Sequence, residues 1–208
     1  MKKLKTFLQK NPQIRWLLGY IPLYLAYFLT QQLPLEHTVI HLALDDAIPF
    51  LPIFILPYFG WYLYISVLPV VVCFRDRQAF VRQCVTMYII MAAAILTFVI
   101  FPTAIDFTPD ASGNGLLLWL CRWIYSHDRP VNVLPSMHCT QAVGIYLTTF
   151  CGSTLRKYRG LRIAAAVLAA LICLSTVFVR QHSVLDGVIG VALASAVYAL
   201  VRKLWKDS

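Results

Sequence analysis

Residues 179–206 read VRQHSVLDGVIGVALASAVYALVRKLWK, and the reading of this stretch decides the fold. From 184 to 203 it is apolar apart from Asp186 and the basic pair Arg202 and Lys203 at its end. A helix needs about 20 such residues to cross the hydrocarbon core of a bilayer. The run is therefore a membrane helix with a basic exit. At its other border stand His182 and, four residues on, Asp186. Ionisable side chains at a membrane helix are costly and point to function.

The same test applied outward finds five more runs. The six lie at roughly 14–30, 50–74, 84–102, 135–152, 161–180 and 184–203. Of the 208 residues, 60 % are hydrophobic and 13 % charged, against about 25 % charged in soluble domains. The expected fold is an all-α integral membrane protein with six transmembrane helices, a single domain over 1–208. Pro52, Pro57 and Pro69 predict a kink in the second helix. The segment after the first run, QQLPLEH, has no small-residue cleavage site, so that run is expected to stay as a helix. Residues 35–48, LEHTVIHLALDDAI, are too polar to span and predict an amphipathic surface helix.

The net charge of +9 is placed in blocks between the apolar runs: MKKLK, RDRQAFVR, LRKYRGLR and VRKLWK. This is the pattern of cytoplasmic loops, and it excludes nucleic acid as the partner those cations serve. Membrane lipids with anionic headgroups are the expected neighbours. With six spans, both termini and the loops 75–83 and 154–161 share the cytoplasmic side. The opposite side receives 31–49, 103–134 and the turn 181–183, with Glu36, Asp45, Asp46, Asp106, Asp110 and Asp128. The six cysteines form no CxxC pair and read as packing residues. His37 and His41 lie one turn apart without a third ligand, so no metal is expected there.

A second histidine, His138, opens the fourth run in VNVLPSMHCT (131–140). In this topology it lies at the depth of His182, near the outer face. Residues four apart share a helix face, so Asp186 can take the Nδ1 proton of His182 and leave Nε2 with its lone pair outward. That makes an oriented nucleophile or base; a polar pair tying two helices together is the bland alternative. Arg122, Arg129 and Arg180 lie on the same side, and planar guanidinium groups match phosphate oxygens. Ser136 and the amides at the helix start beside Pro135 add neutral donors. No Gly-rich phosphate loop and no carboxylate cluster for Mg²⁺ occurs, so no cofactor or metal is called for.

These motifs resemble those of the type 2 phosphatidic acid phosphatase superfamily. PSMH (135–138) looks like its PSGH-type motif, and HSVLD (182–186) like the HxxxD end of its third motif. The segments HDRPVNVLPSMHC and LDDAIPFLPIFILPYFGWYLYI (44–65) are similar to the membrane branch related to inositol-phosphoceramide synthases. Two departures stand out. Arg122 and Arg129-Pro130 keep the spacing of the first motif, KxxxxxxRP, with Arg for Lys and only four residues before PSMH. Ser175-Thr176 stands where the third motif begins Ser-Arg, which leaves Arg180 to replace the arginine. The resemblance implies phosphoryl transfer through a phosphohistidine on His182, with Asp186 orienting it and His138 as general acid. The implied substrate is a lipid phosphate. Water as the second acceptor gives a phosphatase; an inositol or lipid hydroxyl gives a phosphotransferase. A small transporter with a His/Asp relay is the non-enzymatic alternative, though no internal repeat supports it.

Overall fold

The computed structural model describes residues 2–206. The chain begins with α1 (Lys2–Lys10), a 3₁₀ stretch (Pro12–Gly19) and α2 (Tyr20–Thr30). The first apolar run is thus two helix types joined at Gly19 rather than one uniform helix. Pro12 opens the 3₁₀ part, where its missing N–H costs nothing.

The segment expected as an amphipathic surface helix is mostly something else. Thr38–Val39 forms β1, and only Ala43–Ala47 is helical, as α3. β1 pairs in parallel with β2 (Thr103–Ala104), Thr38 opposite Thr103 and Val39 opposite Ala104. Ala104 also bridges to Val131. The two long loops at this end are therefore laced together, a long-range pairing that a helical period in the sequence does not reveal.

Among the described residues, four helices are long and apolar enough to cross a membrane: Pro52–Arg75, Arg77–Ile100, Arg159–Phe178 and Val184–Trp205. The first comprises a 3₁₀ turn and α4 (Ile55–Arg75); Pro57 lies in the first helical turn, and α4 runs on through Pro69. Asp76 then separates α4 from α5 (Arg77–Ile100) and caps the latter by accepting from the Ala79 N–H. α5 starts seven residues before the apolar run at 84, because that cap, not hydropathy, fixes its start. After α6 (Leu116–His127) come α7 (Met137–Tyr146) and a π-helical turn (Leu147–Cys151). α8 (Arg159–Phe178) and α9 (Val184–Lys206) complete the chain.

The fourth apolar run, 135–152, is not among the membrane-length helices. α7 is the central helix, packed on α4, α5, α8 and α9. His138, Thr140, Gln141, Ala142, Gly144 and Ile145 are all buried, so the helix is covered all round. The surrounding helices show the converse. Leu63 and Val67 on α4, Leu96 and Ile100 on α5, Val167 on α8 and Val188 and Leu200 on α9 are exposed. Such an apolar outer surface suits lipid rather than water.

α7 meets α9 at glycines. A Cβ on Gly190 would lie 2.9 Å from the Ser136 carbonyl oxygen and 3.2 Å from the Cys139 Cβ. Gly190 therefore permits a backbone approach that no larger residue allows, as small residues do between membrane helices. This contact brings the starts of α7 and α9, and with them both histidines, to one place.

Candidate active site at the starts of α7 and α9

Ser136 is the N-cap of α7: its hydroxyl accepts from the Cys139 N–H at 3.4 Å. Its own N–H donates to the Asp186 carbonyl at 3.1 Å, stitching the start of α7 to the first turn of α9. Two residues on, His138 is held between the rings of Tyr58 and Trp61, each centroid 4.4 Å away. Tyr58 and Trp61 are three apart and so share one face of α4. Both ring nitrogens of His138 are buried without a hydrogen-bond partner. An unsatisfied buried polar group is uncommon and calls for a role.

His182 lies opposite, its ring centroid 5.7 Å from that of His138. Its Nδ1 faces Asp186 Oδ2 at 3.4 Å, so the pair expected from HSVLD is formed, though not on one helix face: His182 lies in the turn before α9 and Asp186 in its first turn. Asp186 Oδ2 also accepts from the Ser183 N–H at 2.9 Å. Burial disfavours the imidazolium of His182, but the hydrogen bond and charge of Asp186 outweigh it and hold the pKa above the usual histidine value.

The turn before α9 is anchored by a residue that sequence reasoning saw only as part of an acidic loop. Asp45, buried in α3, accepts from the Ser183 hydroxyl at 2.7 Å and from the Val184 N–H at 2.9 Å. It thus caps α9 from 138 residues away in sequence. A carboxylate at a helix N-terminus is favoured by the unpaired N–H groups there. Asp128 is a third carboxylate at the site and accepts from the Tyr58 hydroxyl at 2.7 Å. Burial raises its pKa, with Tyr58 and His182 pulling the other way.

His138, His182, Asp128, Arg129, Asn132 and Gln181 line a cavity of about 20 Å³. That is room for about one water. Asn132 Oδ1 and Gln181 Nε2 are buried there without partners. Asn132 has φ 57° and Arg180 φ 53°, left-handed backbone that non-glycine residues hold at a cost and that clusters at functional sites. Asp128, Met137 and His138 also line a second, larger cavity of about 340 Å³ with Tyr24, Trp61 and Tyr62. It is mostly apolar and adjoins the small one through those shared side chains.

The phosphate-binding set expected from the sequence is only partly assembled. Arg129 lines the small cavity and its guanidinium has no partner in the described protein. Arg122 is not there: it donates to the Ala111 and Gly113 carbonyls at 2.7 and 3.0 Å and braces its own loop. Arg180 donates to the Asp45 and Ile48 carbonyls at 3.2 and 2.9 Å and lies over the Phe107 ring. Ser136 lines neither cavity, its hydroxyl being the cap of α7. In each case loop or cap geometry claims the donor, and these partners were not predictable from a spacing rule. His41 bridges Asp46 and Asp106 at 2.9 Å each. No group of three or more His, Cys, Asp or Glu that could hold a metal occurs among the described residues.

Comparison with protein-family models, with curated proteins and with solved structures gives no match to this chain.

Proposed function

We propose that the protein is a membrane lipid-phosphate phosphatase that works through a phosphohistidine on His182, without a metal. The observation that carries this reading is the buried pair of histidines 5.7 Å apart, one oriented by Asp186 and the other with both nitrogens free. Two structural histidines would be expected to satisfy their nitrogens; a nucleophile and a general acid need the opposite.

In the proposed reaction, His182 Nε2 attacks phosphorus and the bond from phosphorus to the lipid oxygen breaks. His138 gives that oxygen a proton as it leaves. Water then attacks the phosphohistidine, the N–P bond breaks, and His138 takes the proton from the water. Asp186 keeps the tautomer and stabilises the charge that forms on the His182 ring. Arg129 is the cation available to the phosphoryl oxygens. The apolar cavity beside His138 suits the hydrocarbon end of a lipid, which favours a lipid substrate over a soluble phosphoester. Phosphotransfer to an alcohol uses the same first step and differs only in the acceptor.

The topology proposed with it has six crossings. The Pro12–Thr30 segment, with its 3₁₀ and α parts, reaches roughly 30 Å by the rise of the two helix types; α7 and its π-helical turn reach only about 20 Å by that rise, so the inner crossing is completed by the buried 132–136 segment before α7. The basic ends face the cytoplasm and the histidines the other side.

The test is phosphate release from a panel of lipid phosphates by detergent-purified protein in EDTA, beside His182→Ala. Release that requires His182 and ignores EDTA supports the reading. Release lost on adding EDTA, or unchanged in His182→Ala, sinks it. Headgroup transfer to added inositol or diacylglycerol, without release, identifies the transferase.

A further inference from the structure

The far end of α9 carries a cavity that plays no part in the chemistry above. It measures about 380 Å³ and lies among the start of α5, the turn after α7 and the last turns of α9. Arg82, Arg156 and Arg202 line it, together with Thr86, Cys151 and Tyr198. Asp76 is the one carboxylate among its lining residues, and both oxygens are engaged. Oδ1 accepts from the Ala79 N–H and Oδ2 from the Thr154 N–H, each at 3.0 Å. Three cations thus face one carboxylate already holding two backbone donors.

Arg82 is held in place by donating to the Gly152 carbonyl at 2.9 Å, while its Nε is buried with no partner. Arg82 and Arg202 both lie within electrostatic reach of the Tyr198 hydroxyl. Like charges gathered round a cavity repel unless an anion joins them. Arg202 stands eighteen residues beyond Val184, about 27 Å along the helix. That is close to the roughly 30 Å of a hydrocarbon core, so with α9 as a membrane span the cavity would lie at the headgroup level of the leaflet opposite the histidines. Buried Val201 gives it an apolar wall.

We propose that this cavity binds a phosphate-bearing anion, with Arg82, Arg156 and Arg202 as its cationic ligands. Guanidinium groups grip phosphate oxygens through paired, charge-assisted hydrogen bonds. A lipid headgroup of that leaflet and a soluble phosphoester share this chemistry. The proposal stands independently of the phosphatase reading.

Cys151 offers a readout in the unaltered protein, since it lines the cavity and is exposed, whereas Cys73, Cys84, Cys121 and Cys139 are buried. The rate of maleimide labelling at Cys151, located by peptide mass spectrometry, is measured on full-length protein in neutral bicelles. The probes are phosphatidylglycerol doped into the bicelles, glycerol 3-phosphate in solution, and sodium chloride at matched ionic strength. Phosphate-bearing probes are expected to slow labelling several-fold where chloride does not. Arg202→Gln is expected to raise the half-saturating concentration roughly tenfold, the loss of about one charge-assisted contact. Arg162→Gln, a basic residue of α8 outside the cavity, is the control for charge. Protection by the lipid alone identifies a headgroup site, and protection by both probes identifies phosphate itself as the ligand. Unchanged labelling of wild-type protein with every probe, or equal weakening by Arg162→Gln, overturns the proposal.

Discussion

α9 has a polar cluster at each end, and the two are built in opposite ways. At Val184 the buried ionisable groups are carboxylates and histidines tied to distant segments, with Arg129 at the exposed rim. Asp45 reaches Ser183, Tyr58 reaches Asp128, and the Asp186 carbonyl receives the Ser136 N–H. At Arg202 the groups are guanidiniums around an open cavity. The difference follows from cost. A buried carboxylate or imidazole must be paired or shift its pKa, so the histidine end is specified atom by atom. A guanidinium stays charged and keeps water or an anion beside it, so the arginine end can remain open. Orientation marks the first cluster and charge density the second.

The sharpest way to break this contrast is at His182. His182→Ala removes the attacking nitrogen, and activity on a lipid phosphate should fall by roughly 10⁴-fold or more, the scale of nucleophile deletions in other hydrolases. Residual activity near wild type would make the histidine end merely structural. Next comes His138→Ala, with an expected loss of about 10²–10⁴-fold on alkyl phosphates. The loss should shrink on p-nitrophenyl phosphate, whose leaving group needs no proton. Equal losses on both substrates would remove His138 from its acid role.

Asp186→Asn tests orientation through pH. His182 attacks only when neutral, and Asp186 raises its pKa. The acid limb of kcat/KM should therefore lie above the usual histidine value of about 6.5. Losing the Asp186 charge lowers that pKa, so the limb should move to lower pH as the rate drops. A limb that stays in place would show that His182 does not set it.

Two smaller effects concern stability. Asp45→Ala strips two charge-assisted hydrogen bonds from the start of α9 and should destabilise by about 2–4 kcal/mol, read as a lower Tm in detergent. Gly190→Ala drives a methyl into the Ser136 carbonyl and should cost about 1–3 kcal/mol. A neutral result at Gly190 would mean that the helices can part without loss, and that the histidines are not held at a fixed separation.

The four helices long and apolar enough to cross a membrane were legible from hydropathy alone, because an apolar run of about 20 residues has few alternatives to a helix. The His182–Asp186 pair was also legible as a pair, but not its cause: His182 lies in the turn before α9, and Asp186 reaches back from the first turn of the helix to the Ser183 N–H and the His182 ring. The limits show at α7. Its run reads like the others, yet it is buried all round while α4, α5, α8 and α9 turn apolar faces outward. Composition cannot tell lipid from protein as an apolar neighbour. The arginines show a second limit. Arg122, Arg129 and Arg180 are alike in sequence, but loop carbonyls claim two of them and leave Arg129.

What the sequence determined by itself was local: the apolar helices, the basic blocks between them, and a histidine with a carboxylate four residues on. The tertiary structure decided what depends on distant partners. It set His138 between Tyr58 and Trp61 and brought Asp45 to the start of α9. It also gathered Arg82, Arg156 and Arg202 around one cavity. Helix formation and hydropathy act over a few residues, whereas packing at Gly190 and hydrogen bonding across loops depend on where segments far apart in sequence, 138 residues for Asp45 and Ser183, come to rest.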